Sequence, residues 1–382
     1  MTELLVRLCN VNSGTMNVAG VKLVAEMMMD EFASLGGSAS LKDIPSPESI
    51  NDHGEAVTMP LGPAVHASKR PDVKPRVLLC IHTDTVYPQD HDFQTCSSVT
   101  GGRINGPGVA DAKGGLVVLL YALKALEQSP LAEKIGWEVI LNPDEELGSP
   151  GSESFLKERA AEADYGMLFE PALPDGTMVS WRKGTGNFTF VFRGQAAHSG
   201  REFERGRNAI VACARMMDAI HGLNTDPDIT LNIGRISGGG PLNIVPDLAI
   251  GRVNVRVKTL EQRDAIESQL KKLADEFNGT DDISVEMTGK FTSPPKQISE
   301  GTAQLQQIIE DCGAVLGAEV KWRGTGGASD GNKFAAAGLA NIDTFGVLGG
   351  NIHSRDEFVI VDSLVPRAKL AALTMLSLAA KV

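Results

Sequence analysis

One stretch restricts the fold more than any other: an apolar run, Val139-Ile140-Leu141, that ends in Asn142-Pro143-Asp144-Glu145-Glu146. Such a run reads as a buried strand of a parallel sheet. Pro143 ends the ladder, and Gly148 and Pro150 mark a loop. Three carboxylates are therefore set down where a strand stops. Adjacent carboxylates raise one another's pKa unless a cation or a helix N-terminus compensates. Alone, the run also reads as a solvated acidic turn. The sharper reading, a metal ligand beside a general base, requires other strands to bring ligands to the same rim.

Other strands do end in this way. Arg76 to Ile81 is β-rich and runs into His82-Thr83-Asp84. Residues two apart on an extended chain point the same way, so His82 can bind a metal while Asp84 steadies its imidazole. Tyr165 to Phe169 is a further apolar run, ending in Glu170-Pro171. Asp111 lies in a glycine-rich loop just before a helix, Leu116 to Leu126, that is apolar almost all round and hence buried. Ile342 to Leu348 reads as a strand followed by Gly349-Gly350-Asn351-Ile352-His353. Ligands gather at the C-terminal edge of open α/β sheets. Each ending alone has a bland alternative, a turn or a helix cap, but so many in succession are hard to obtain from solvated loops.

A chain of 382 residues is more than one core usually serves. From about residue 184 the pattern changes to β-α-β-β-α-β, with strands at Asn187 to Arg193, Ile229 to Ile236, Leu248 to Val257 and Asp282 to Met287. The helices between them are Arg207 to Leu223 and Leu260 to Phe277. That order is a ferredoxin-like unit. The expected organisation is an α/β domain with a mixed, mostly parallel sheet flanked by helices, residues 1–183 and 290–382, interrupted by an α+β insertion, residues 184–289. Helices are also expected at Val21 to Leu35, Thr302 to Leu316 and Leu364 to Ala380. Residues 45–75 are rich in Pro, Gly and polar residues, and His53 and His66 among them, which have no partner pattern, read as solvated.

Charge and cysteine content narrow the function. A net charge of 36 − 48 = −12 argues against a nucleic-acid partner. No apolar stretch is expected to span a membrane. The start, Met1-Thr2-Glu3-Leu4-Leu5, lacks a secretory pattern, which points to the cytoplasm. The five cysteines are scattered, which suits free thiols and not a cysteine zinc site.

Eight motifs together resemble the zinc aminoacylase / carboxypeptidase G family. They are the His-x-Asp at 82, the Asn-Gly-x-Gly-x-x-Asp-x-Lys-Gly-Gly at 105, Asp144-Glu145-Glu146, Phe169-Glu170-Pro171, Ala196-Ala197-His198-Ser199-Gly200, Asn243-Ile244-Val245-Pro246, Gly326-Gly327-Ala328-Ser329-Asp330, and His353-Ser354. The carboxypeptidase G branch is the nearest in tone. The resemblance implies a centre of two zinc ions, with Co²⁺ or Mn²⁺ able to substitute. Asp111 would bridge them, His82 and Glu170 would complete one ion, and Glu146 and His353 the other. Glu145 would be the general base and Asp84 the residue orienting His82.

The resemblance also implies that the insertion is a dimerisation and lid domain. His198 would reach a neighbouring subunit's active site in a homodimer. Asn243, Arg256 and Gly327 would contact substrate, Arg256 by gripping a free carboxylate. Glu rather than Asp at 170 leans toward carboxypeptidases and deacylases. Ala112, where the family usually carries a polar or acidic residue, is a departure, and the Asp111–Ala112 peptide is expected to be cis. The implied reaction is hydrolysis of an amide bond in a small peptide or N-acyl amino acid, releasing a C-terminal, glutamate-like residue. N-acyl-amino-acid deacylation is the alternative. A catalytically silent metal-binding dimer is the rival from another class, and the intact Glu145 argues against it.

Overall fold

The computed structural model describes residues 1–99 and 101–381. The chain opens with helices α1 (Thr2–Cys9) and α2 (Val18–Ala33). Asn17 starts α2 by accepting the Gly20 N–H at 3.2 Å, which sets its first turn ahead of the expected Val21. Strands β1 (Ser38–Lys42), β2 (Ala64–Lys69) and β3 (Arg76–His82) follow, then α3 (Lys113–Leu126), β4 (Gly136–Asn142), α4 (Glu153–Glu162) and β5 (Tyr165–Leu168).

The next segment is β6 (Gly184–Arg193), α5 (Ala209–His221), β7 (Thr230–Gly238), β8 (Leu248–Val257), α6 (Leu260–Phe277) and β9 (Ser284–Ser293). The chain closes with α7 (Glu300–Val315), α8 (Asp330–Ala336), β10 (Asn341–Ile342) and α9 (Leu364–Ala380).

A six-stranded mixed sheet has the order β1-β2-β4-β3-β5-β10. The neighbours β4-β3, β3-β5 and β5-β10 are parallel, and β1 and β2 are antiparallel additions at one edge. Alternation along β3 shows how both faces are covered. Val77, Leu79 and Ile81 join the core formed with α2, α3 and α9, whereas Leu78 and Cys80 join Ile140, Leu156 and Phe334 on the opposite face. Each large aliphatic so buried contributes about 1.5–3 kcal/mol. A one-residue slip would exchange the faces, so the register is well specified. That register levels the strand ends: His82 pairs with Asn142 and Cys80 with Leu168.

A second sheet, antiparallel throughout, has the order β7-β8-β6-β9. Phe188, Phe190, Phe192, Val253, Val255 and Val257 pack with α5 and α6 in a core of their own. The opposite, polar face carries Arg252, Asn254 and Arg256. There Arg252 Nη2 donates to Ile50 O at 3.0 Å and pairs with Asp52 at 2.9 Å.

Several sequence expectations need correction. Residues 45–75, where the sequence pattern predicts no strand, contain β2, the neighbour of β4. It was missed because its alternation, Ala64-Val65-His66-Ala67-Ser68-Lys69, is weakly apolar. His66 is not free in solvent either, since its Nε2 lies 2.8 Å from Glu138 Oε1; His53 is exposed as expected. Ile342 to Leu348 forms a strand only at Asn341–Ile342 and then wraps as loop across the end of β5, with Phe345 N bonded to Leu168 O at 3.0 Å. Val361–Ala380 is long and apolar enough to cross a membrane by length and composition, against expectation. It packs on α3 and α7 instead, with Leu370, Met375 and Leu378 in the core.

Candidate metal centre

The parallel strands bring their C-terminal ends to one edge, and the chemistry-bearing side chains follow. Asp111 stands at the middle. Its Oδ1 lies 3.2 Å from His82 Nε2 and its Oδ2 lies 3.2 Å from His353 Nε2. His82 Nε2 is also 3.8 Å from Glu170 Oε2, and His353 Nε2 is 3.4 Å from Glu146 Oε2. One carboxylate thus faces two imidazole–glutamate pairs, one from each oxygen. Ligand atoms of His82, Asp111 and Glu146 all fall within 4.8 Å of one another.

His82 and the turn bearing the two glutamates are held from behind. His82 Nδ1 sits 3.0 Å from the Asp84 carbonyl and 3.2 Å from its carboxylate, so Nδ1 keeps the proton and Nε2 is left to bind. The Asp84 carboxylate also accepts the Glu145 and Glu146 N–H groups, both at 3.2 Å, and the Thr15 hydroxyl at 2.7 Å. Asp84 therefore fixes one imidazole and the turn bearing both glutamates. The Asp111–Ala112 peptide is cis. α3 approaches the end of β5 closely: a Cβ on Gly115 would come 2.1 Å from Phe169 O, so glycine is required there.

Sequence reasoning missed Glu357, which lies just before the short strand Phe358–Ile360. Its buried carboxylate accepts Ala110 N at 2.9 Å, Asp111 N at 3.0 Å, Gly108 N at 3.2 Å and the Tyr87 hydroxyl at 2.7 Å. The Tyr87 oxygen also lies 2.8 Å from Ser354 O, so its one proton is shared between that carbonyl and Glu357, which ties the Asp111 loop to the His353 loop. No spacing in the sequence marks this residue.

The three acids after β4 have separate tasks. Asp144 is spent on structure, accepting Gly151 N at 2.7 Å and Ser152 N at 3.2 Å. Burial pushes it up to about 6. Glu146 faces His353. Burial, with Asp111 nearby, pushes it up to about 7 against the pull of His353. The Glu145 carboxylate makes no hydrogen bond or ion pair among the described residues; burial and then Glu170 raise it well above the ordinary range. Burial also opposes the Asp111 charge, but His353 and His82 more than offset it and hold the carboxyl low. His353, bonded to Asp111 and Glu146, rises to about 10.

The donors fit a metal. Imidazole and carboxylate suit Zn²⁺. Glu146 Oε1 is buried and has no hydrogen-bond partner among the described residues. An orphaned carboxylate oxygen is costly unless a cation satisfies it.

Glu145, Glu146, Arg256, Ala328 and His353 line one cleft of about 400 Å³. Arg256 donates from Nη1 to Gly326 O at 2.9 Å and has no carboxylate partner among the described residues. Burial lowers its pKa and Glu145 raises it. Gly327 lies beside the cleft, its carbonyl accepting Arg182 Nη1 at 3.2 Å. His198 and Asn243 are brought together but not to this cluster. They are neighbours at a two-residue pairing of Ala197–His198 with Ile244–Val245, with Ser199 N on Asn243 O at 2.9 Å, and both are exposed.

The chain is similar to carboxypeptidase G2 of Pseudomonas sp. (strain RS-16), with 28% identity over 98% of this chain and 88% of that one. It is similar to succinyl-diaminopimelate desuccinylase of Gluconobacter oxydans, with 27% identity over 76% and 78%. In fold it matches an M20 family metallo-carboxypeptidase from Sulfolobus solfataricus (TM-score 0.74, 17% identity, 100% and 99% covered). It also matches a dinuclear metal-binding peptidase from Bacillus subtilis (TM-score 0.69, 15% identity, 100% and 98% covered). Residues 78–377 match Peptidase family M20/M25/M40, and the chain belongs to that family of metal-dependent hydrolases.

Proposed function

We propose that this hydrolase releases a C-terminal, glutamate-like amino acid from a small peptide or N-acyl substrate, in the manner of carboxypeptidase G. One observation carries the reading: an uncommitted carboxylate, Glu145, and a guanidinium without an anion, Arg256, line the same cleft. His82, Glu170 and Asp111 would hold one Zn²⁺, and Asp111, Glu146 and His353 a second. Bound there, zinc supplies Lewis acidity toward a carbonyl and lowers the pKa of water to about 7. Glu145, spared from any partner, accepts a proton in the cleft and returns it to the leaving nitrogen. Arg256 offers two parallel N–H groups to the substrate's free carboxylate.

His198 and Asn243 lie together on the small unit and away from this chain's cleft. A homodimer through that unit would carry His198 to the partner's cleft, where it would donate to the developing oxyanion. The free cysteines fit a reducing compartment, and we place the protein in the cytoplasm. Deacylation of an N-acyl amino acid is the second reading, favoured by the similarity to a desuccinylase.

The test is a substrate panel with the zinc-loaded protein. Free-acid N-acyl-glutamates should be cleaved and their C-terminal amides poorly. Arg256→Lys should slow the free acid, and Arg256→Ala should slow it more. Equal cleavage of acid and amide by the wild type would overturn the role of Arg256 and with it the carboxypeptidase reading. Selectivity governed by the acyl group alone would select the deacylase.

A further inference from the structure

A second cavity, of about 370 Å³, opens where α7 ends and α9 begins, and it shares no lining residue with the catalytic cleft. Leu316, Val320, Leu348, Pro366 and Leu370 form its apolar wall, and Arg367 lies among them. Arg367 is only 7% exposed. Its Nε donates to Gly346 O at 2.8 Å and its Nη2 to Thr344 O. Nη1 has no hydrogen bond, and the guanidinium has no carboxylate partner, among the described residues.

A buried cation without a countercharge is costly, and burial alone draws Arg367 down to about 10. The start of α9 adds to the imbalance. A helix N-terminus carries positive partial charge, and this one has no acidic residue in its first turn. Lys369 at the rim is exposed and likewise has no carboxylate partner among the described residues. Two acids also line the cavity, Asp175 and Glu319, but both are exposed and neither pairs with Arg367 or Lys369: Asp175 accepts Thr177 N at 3.0 Å, and Glu319 pairs with Lys321 at 3.3 Å.

We propose that this cavity binds a small apolar monocarboxylate, with its carboxylate on Arg367 and its body against the leucine-rich wall. One uncommitted guanidinium nitrogen suits a single negative charge. A phosphate would leave most of its oxygens facing apolar side chains, and burying them unpaired is unfavourable.

Calorimetric titration of the zinc-loaded protein with 4-phenylbutyrate, and with its neutral amide, tests this. The acid should bind saturably, and the amide at least about tenfold more weakly, since a charge-assisted bond is lost. Arg367→Gln should weaken the acid at least about tenfold. A carboxylate can also reach the metal centre, so Ala318→Phe, which fills the exposed edge of the cavity, decides where it binds. This variant should lose the binding and keep full turnover, and it carries the test if Arg367→Gln does not fold. Binding that survives in Ala318→Phe, equal binding of acid and amide, or no binding to the wild type would overturn the proposal.

Discussion

Replacing Glu357 by Gln should damage the metal centre without touching a metal ligand. The carboxylate receives four donors: Oε1 takes Ala110 N and Asp111 N, and Oε2 takes Gly108 N and the Tyr87 hydroxyl. Glutamine can keep its carbonyl toward Ala110 and Asp111, but its NH₂ then meets the Gly108 N–H donor to donor. Hydrogen bonds to a charged group contribute about 1.5–3 kcal/mol each, and neutral ones roughly half. The Tyr87 hydroxyl can accept from the new NH₂ while donating to Ser354 O, so one bond lost and two weakened amount to about 3–6 kcal/mol, against the 5–15 kcal/mol typical of folded domains. The chain should therefore still fold, with a lower urea midpoint. Groups that orient metal ligands from behind typically carry 10–100-fold in affinity, so chelator competition should show zinc held that much more weakly. Tyr87→Phe should act in the same direction to a smaller extent, and the double variant should fall short of the sum because the two share a bond. A Glu357→Gln protein with unchanged midpoint and unchanged zinc affinity would refute the reasoning.

Further outcomes follow from the same geometry. Glu145→Gln should retain metal and lose about 10²–10⁴-fold in turnover, and mixing it with a His198→Ala chain should restore part of the activity if His198 acts across a dimer. Near-normal turnover, or no recovery despite proven subunit exchange, would count against those roles. Glu138 is buried, which disfavours its charge, yet His66 and Arg159 hold it at about 2 against an ordinary 4.5. Its folded pKa is depressed, so its contribution is complete above pH ~4.5 and drains as pH falls toward ~2. Between pH 6 and pH 3 that is about 2 kcal/mol. Glu138→Gln should flatten this part of the stability–pH curve, and an unaltered slope would contradict the pairing.

What could be read from the sequence depended on how loudly each element spoke. Leu248–Val257, Leu260–Phe277 and Leu364–Ala380 were legible to the residue, because long periodic segments carry their own signal. The small unit's order of elements followed from the same periodicity. His82, Glu145, Glu146 and Glu170 were legible as candidate site residues because each follows closely on a conspicuous apolar run. β1 and β2 were not, being short and largely polar strands whose pairing depends on β4 as a template. The loop after β10 is apolar because it is buried over the end of β5, and sequence alone cannot separate that from a strand. Glu357 was invisible for another reason: its partners, Tyr87 and the 108–111 backbone, lie far away in sequence, and backbone N–H groups leave no mark on residue identity. His198 and Arg256 stood out only through the family pattern. The fold then separates them, Arg256 into the cleft and His198 away from it.

The most direct test of the central claim is zinc stoichiometry. Protein equilibrated with zinc, freed of excess and analysed by atomic spectroscopy should hold two ions per chain. His353→Ala and His82→Ala should each hold one, because each removes a ligand from a different side of Asp111, and Asp111→Ala should lose both. A wild type that saturates at one ion or none, or a His353→Ala chain that still holds two, would contradict the account.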